Sequence, residues 1–76
     1  MVLDIVVHKT DDGFTAEIPS LKGCESWAPD EEEVLEKIMD LAAYYLKDES
    51  RKEFKLDKAR TSRNKTIYKL VFHKFR

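Results

Sequence analysis

The sequence has few of the residues from which disulfides, phosphate-binding loops and membrane spans are built. Cys24 is the one cysteine among 76 residues, which excludes an internal disulfide and favours a reducing, cytoplasmic location. The two glycines, Gly13 and Gly23, do not begin the glycine and lysine pattern of a phosphate-binding loop. No segment approaches the roughly 20 apolar residues that cross a bilayer, and the N-terminus does not resemble a signal peptide. We therefore expect no membrane partner.

The chain also offers little for catalysis or metal binding. Cys24 has an acid beside it, Glu25, which disfavours the reactive thiolate. His8 and His73 lie near the ends of two predicted strands, and their rings approach each other only if those strands are parallel neighbours. The acids at 11–12 are explained by a turn, and those at 31–33 by a helix start. We expect no catalytic residue, no metal and no cofactor, and hence no enzyme.

The small size of the chain points to self-association. Residues 1–76 form one domain, whose core is thin because small domains bury a smaller share of their apolar surface. Such domains are usually supported by disulfides, a metal, very regular packing or a partner subunit. With disulfides excluded, we expect a homo-oligomer, either a dimer or a tetramer.

The periodicity of the apolar residues predicts an α+β domain with the element order β-β-β-α-β. The predicted elements are strands at 2–9, 14–18, 23–28 and 66–76 and a helix from Asp30. An Asp-Gly pair at 12–13 favours a hairpin turn, and Asp30 is placed to cap the helix. Segment 50–65 is basic and has few apolar residues, so a frayed helix extension, a second short helix and a basic loop all fit it. We treat it as irregular.

Two of the predicted strands have apolar residues on both faces. Val2 and Val6 lie opposite the main apolar face of the first strand, and Ile67 and Val71 do so in the last. Strands of this kind are usually covered on both sides, and one helix cannot cover both. By strand parity Trp27 points to the same second face, as a lid on the sheet or as an interface anchor. The sequence thus predicts an oligomer or partner interface at these five residues.

Charge is divided between the two ends of the sequence. Residues 1–50 contain four lysines and thirteen acids, a net charge of −9, whereas residues 51–76 contain ten basic residues and two acids, a net charge of +8. Either the two parts neutralise each other, within one chain or between subunits, or each attracts an external charged partner. The candidate acidic partner surface comprises Glu25, Glu31, Glu32 and Glu36. The candidate phosphate contacts of the alternative, a nucleic-acid-binding module, are Arg51, Lys52, Lys55, Lys58, Arg60, Arg63 and Lys65.

The run FTAEIPSLKGCESWAPDEEEVLEKIMDLAAYYL, residues 14–46, resembles the HicB-like antitoxin domain. The matching features are Phe14, a strand ending in Pro19, Leu-x-Gly-Cys at 21–24, and an amphipathic helix after a capped acidic turn. The resemblance implies a partial ribonuclease H-like fold, in which a mainly antiparallel sheet has its last strand beside its first and one helix across one face. It further implies binding of a small basic toxin of the HicA type, which cleaves messenger RNA. Longer members carry a C-terminal DNA-binding module, for which we expect no room here.

Overall fold

Two segments of the chain, residues 2–46 and 54–71, are described by the structure, which is a computed structural model. Their elements are β1 (Val2–Thr10), β2 (Gly13–Glu17), β3 (Glu25–Ala28), α1 (Glu31–Leu46), β4 (Lys55–Ser62) and β5 (Lys65–Val71). The strands form one sheet in the order β3-β2-β1-β5-β4, and every neighbouring pair is antiparallel. The predicted α+β class, and the position of the last strand beside the first, are confirmed.

The segment predicted to be irregular, 50–65, contains a strand, so the predicted order lacked one element. β4 pairs with β5 along its whole length, from Lys55 opposite Val71 to Ser62 opposite Lys65. β4 is an edge strand of the described sheet, and its side chains are exposed except for the half-buried Leu56. A shift in register between Lys58 and Arg60 also interrupts the two-residue alternation. Both features removed the apolar periodicity on which a strand prediction depends.

The connections between the first three strands follow the turn residues of the sequence. The predicted hairpin from β1 to β2 is present and closes over residues 11–12, and Thr10 and Gly13 pair as the last and first residues of the two strands. β3 begins two residues later than the predicted 23–28, because the chain still turns at Gly23, whose φ is 79°. The Ile18 amide donates to the Cys24 carbonyl at 3.0 Å across this turn. The Leu-x-Gly-Cys segment therefore forms a closed loop.

The helix begins where its capping signal predicts. The Asp30 Oδ1 atom accepts a 2.8 Å hydrogen bond from the Glu33 amide, which satisfies one of the amides left unpaired at a helix start. α1 packs mainly on β2 and β3. Its buried face and the sheet form a core of Ile5, Val7, Ala16, Ile18, Cys24, Ala28, Val34, Ile38, Ala42, Tyr68 and Leu70. The core thus lies on one side of the sheet.

Candidate functional site

The sheet surface turned away from α1 carries most of the residues predicted for an interface, and we call it the open face. It consists of the residues that alternate with the buried positions of each strand. They are Glu25 and Trp27 of β3; Thr15 and Glu17 of β2; Val2, Asp4, Val6 and His8 of β1; Lys65, Ile67, Lys69 and Val71 of β5; and Lys55, Asp57 and Arg60 of β4.

Four of the five predicted apolar interface residues lie together at the centre of the open face. Val2 is directly opposite Val71, and Val6 is directly opposite Ile67, on the adjacent strands β1 and β5. Val2 is exposed, and the other three are half-buried. Between the two apolar pairs lies an ion pair in which Lys69 donates to Asp4 at 2.6 Å. The centre is therefore an apolar pair, an ion pair and a second apolar pair along two strands.

Trp27 lies on the open face as predicted, but two strands away from these pairs. Its side chain is 44% exposed, and its six-membered ring covers Gly13, where a Cβ atom would come within 2.9 Å of the ring. Its carbonyl, on the edge strand, accepts a 3.2 Å hydrogen bond from the Lys37 ammonium group of α1. The indole therefore packs on the backbone of β2 and still presents a large apolar surface at the β3 edge.

The folded chain keeps the charge segregation of the sequence in space. The segment 13–46, which forms β2, β3 and α1, contains eight acids and two lysines, a net charge of −6, and we call it the acidic flank. The segment 55–71, the β4–β5 hairpin, contains six basic residues and one acid, a net charge of +5, and we call it the basic hairpin. β3 and β4 are the opposite edges of the sheet. The chain is therefore an electrostatic dipole across its strands.

The predicted acidic surface is divided between two sides of the acidic flank. Glu25 lies on the open face, whereas Glu32 and Glu36 are exposed on the outer surface of α1. Glu31 turns toward the core, where its Oε2 atom accepts a 2.6 Å hydrogen bond from the Tyr68 hydroxyl. Sequence reasoning missed this contact, because no local pattern relates the two residues. The Glu31 carboxylate is therefore engaged within the domain.

The Tyr68 hydroxyl is the ionisable group most clearly perturbed by the fold. Burial of the ring, together with the hydrogen bond and the negative charge of Glu31, raises the pKa of Tyr68 to about 12. The Lys58 ammonium lies over the ring, 5.8 Å from its centroid. Tyr68 thus connects the helix start to the basic hairpin.

The predicted basic residues surround the β4–β5 hairpin and do not share one face. Lys55, Arg60 and Lys65 belong to the open face, Lys58 lies on the helix side, and Arg63 is in the turn. All five are exposed. The remaining two, Arg51 and Lys52, lie outside the described residues. The hairpin therefore presents positive charge in several directions.

A shallow cleft lies where the tip of the basic hairpin approaches the start of the helix. Its volume is about 90 Å³, and its walls are formed by Val7, Lys9, Phe14, Glu31, Arg63, Asn64, Lys65 and Thr66. Small-molecule sites usually enclose roughly 300 Å³ or more. The cleft is therefore too small for a cofactor.

Among the residues that the structure describes, the candidate reactive groups of the sequence are not assembled into a site. Cys24 is 2% exposed, and burial raises the pKa of its thiol, which disfavours the nucleophilic form. β1 and β5 are antiparallel, so the parallel arrangement considered for His8 and His73 does not occur, and His73 lies outside the described residues. His8 instead lies 3.7 Å from Glu17 on the open face. Over residues 2–46 and 54–71, no group of three or more potential ligands is placed to hold a metal ion.

The helix is also unsuited to a bilayer: in the part of the chain that the structure describes, no helix is long and apolar enough to cross one. Comparison of the chain with protein-family models, with curated proteins and with solved structures finds no match.

Proposed function

We propose that this chain is a non-catalytic, protein-binding domain of the HicB-like antitoxin type. Its partner is a small basic protein of the HicA toxin type, which the acidic flank binds in place of RNA. The proposal rests on the family resemblance of residues 14–46 and on the surface that those residues form.

The observation that carries the proposal is an acidic stripe on the outer surface of α1. Glu32, Glu36 and Asp40 follow one another at intervals of four residues, which places them on one side of a helix, and all three are exposed. A basic toxin surface that binds RNA is complementary to such a stripe, and complementary charge accelerates encounter. Trp27, at the neighbouring β3 edge, offers the apolar contact that charge alone does not supply.

The test uses a small basic protein of the HicA toxin type, taken from the reading frame beside the gene for this chain where one is encoded there, and purified with its catalytic histidine replaced by alanine. Isothermal titration calorimetry measures binding, and an RNA cleavage assay with the active protein measures inhibition. We expect a complex, inhibition of cleavage, and association that slows as salt increases. Failure to bind, or binding without inhibition, would contradict the proposal.

Three variants locate the binding surface. The double reversal Glu32→Lys/Glu36→Lys should weaken the complex by about tenfold or more, since it replaces attraction by repulsion at two adjacent positions. The control Asp11→Lys/Asp12→Lys makes the same change of charge in the β1–β2 turn, which is not part of α1. If the two double charge reversals weaken the complex equally, only the net charge of the domain determines binding. Trp27→Ala tests the apolar contact.

A second candidate, nucleic-acid binding, is favoured by one observation, the concentration of positive charge on the basic hairpin. The hairpin lacks an exposed aromatic platform for bases, because Tyr68 is the aromatic residue between 55 and 71 and is 7% exposed. Binding would therefore depend on phosphate contacts and fall steeply with salt. Fluorescence anisotropy with labelled single-stranded RNA and duplex DNA at low salt tests it. Retention that Arg60→Glu/Arg63→Glu abolishes would favour this candidate, and no retention would exclude it.

A further inference from the structure

The open face and the charge dipole, taken together, identify a partner for the side of the sheet that α1 does not cover. Val2, Val6, Ile67 and Val71 form an apolar centre that α1 does not cover. This centre is bordered by Glu17 and Glu25 on the β2 and β3 side. On the β4 side its border is formed by Lys55, Arg60 and Asp57, so basic residues outnumber the acid there. A surface with an apolar centre, charged borders and opposite signs at its two sides is complementary to a copy of itself in one orientation.

Symmetry decides which orientation that is. Two copies packed face to face are related by a twofold axis that lies between the sheets. When the strands of the two copies are aligned, this axis runs either along the strands or across them. An axis across the strands places each strand over its own copy, so the acidic side meets the acidic side. An axis along the strands exchanges the two sides, so acidic borders meet basic borders. Only the second arrangement is electrostatically complementary.

The register of the sheet specifies the contacts of this arrangement. Rotation about an axis along the strands does not change the position of a residue along the strand direction, which we call its level. If the axis lies between β1 and β5, β1 is placed over the partner's β5. Val6 then faces the partner subunit's Ile67, Val2 faces the partner subunit's Val71, and Asp4 faces the partner subunit's Lys69. One strand further out, Glu17 faces the partner subunit's Arg60, because both occupy the level of the Val6 and Ile67 pair.

We infer that the open face binds a second copy of this chain, with the twofold axis parallel to β1 and β5. The acidic and basic halves of the sequence then neutralise each other between subunits. β3 lies outside the overlap, so Trp27 remains available to a different protein. The inference therefore concerns another surface than the one proposed for the toxin and does not depend on that proposal.

The area of the open face determines how tightly the two copies are expected to bind. The four strands that overlap are spaced about 4.8 Å apart, and seven residues rising about 3.3 Å each set their length, which together give a footprint of roughly 400 Å². Standard interfaces bury about 800 Å² per partner. The dimer is therefore held by a small interface, in which reversal of one charge has a measurable effect.

Sedimentation velocity over a range of micromolar to submillimolar concentrations tests the dimer. We expect a monomer–dimer equilibrium for the natural sequence and a monomer for Ile67→Glu, which places a charge at the apolar centre. Trp27→Ala, at the rim, should leave dimerisation unchanged. A monomer at every concentration would overturn the inference. So would a dimer that Ile67→Glu does not affect, since a different surface would then hold it.

A charge exchange tests the axis. Glu17→Arg alone and Arg60→Glu alone should each weaken the dimer by about tenfold, because each places like charges together twice. An equimolar mixture of the two variants should regain dimerisation, since every contact in the mixed dimer again joins an acid to a base. Asp11→Arg in the turn is the control for net charge. If the mixture stays monomeric, the twofold axis is not parallel to β1 and β5, and the inference fails. Circular dichroism confirms that each variant is folded.

Discussion

Tyr68 and Glu31 are 37 residues apart in sequence and are joined by a 2.6 Å hydrogen bond in which the phenol donates to Oε2 of the carboxylate. The bond connects β5 to the first turn of α1, whereas the helix packs mainly on β2 and β3. It thereby ties the basic hairpin to the rest of the core. A hydrogen bond to a charged group, partly buried, contributes more than a neutral surface one.

Removal of this hydroxyl should destabilise the domain. We expect Tyr68→Phe to lower the free energy of unfolding by about 2 kcal/mol, because Glu31 is then left without its partner in a half-buried position. Urea denaturation measures the change. Glu31→Gln is the matched control, since an amide oxygen still accepts from the phenol, and it should cost less. If Tyr68→Phe has the stability of the natural sequence, the bond contributes nothing.

The raised pKa of Tyr68, about 12, makes stability depend on pH in the alkaline range. An unfolded tyrosine ionises near pH 10. Below that pH the stabilisation from Tyr68 is fully present, and between about pH 10 and pH 12 it is lost, because only the unfolded state releases the proton. The loss should be on the order of 2 kcal/mol. Denaturation at several pH values should show this decline in the natural sequence and a smaller one in Tyr68→Phe.

The sequence predicted the elements in which one face is buried, because burial of one face spaces the apolar residues at regular intervals. Phe14, Ala16 and Ile18 alternate because the helix covers one side of β2, and Val34 and Ile38 repeat because α1 has one buried face. β4 imposes no such pattern. Of its eight residues only Leu56 is half-buried, and the register shift beyond Lys58 exchanges the two faces within the strand. An exposed, irregular edge strand leaves no periodic signal in the sequence.

The candidate site was predictable in its composition but not in its arrangement. Parity placed Val6 and Ile67 on one face, and the structure confirms that they are direct neighbours. Parity could not show that Trp27 lies two strands away, because that depends on the strand order. Likewise, the sequence assigned Glu31 and Glu32 to the same acidic surface. In the structure Glu31 accepts a hydrogen bond from Tyr68, which the sequence does not indicate. Contacts between distant segments determine both outcomes.

Gly13 is required by the packing of Trp27. A Cβ atom at this position would lie 2.5 Å from the Ala28 carbonyl oxygen and 2.8 Å from the indole ring, closer than atoms approach without displacement. We expect Gly13→Ala to lower the free energy of unfolding by about 2 kcal/mol, as overpacking does, and to shift the fluorescence of Trp27. Trp27→Ala alone should cost less. Full stability of Gly13→Ala would show that β2 and β3 separate easily.

The Cys24 thiol should resist modification in the folded protein. It is 2% exposed, and burial raises its pKa, so both access and the thiolate fraction are reduced. Reaction with a disulfide reagent near pH 8 should be slower by about a hundredfold or more than in denaturant. Gly23→Ala, which strains the adjacent turn at φ 79°, should accelerate it. Rapid reaction of the natural sequence would contradict a structural role for the thiol.

Ser26 lies on the helix side of β3, where its hydroxyl group is buried. Over residues 2–46 and 54–71, its Oγ atom is buried and has no hydrogen-bond partner. A buried hydroxyl without a partner costs about 1–3 kcal/mol of desolvation. We therefore expect Ser26→Ala to raise the free energy of unfolding by up to about 1 kcal/mol, since the methyl group fits where the CH₂ group already packs. Ser20→Ala, at an exposed loop position, is the control and should change stability little. A loss of stability in Ser26→Ala would show that the hydroxyl has a partner in solution, such as a buried water.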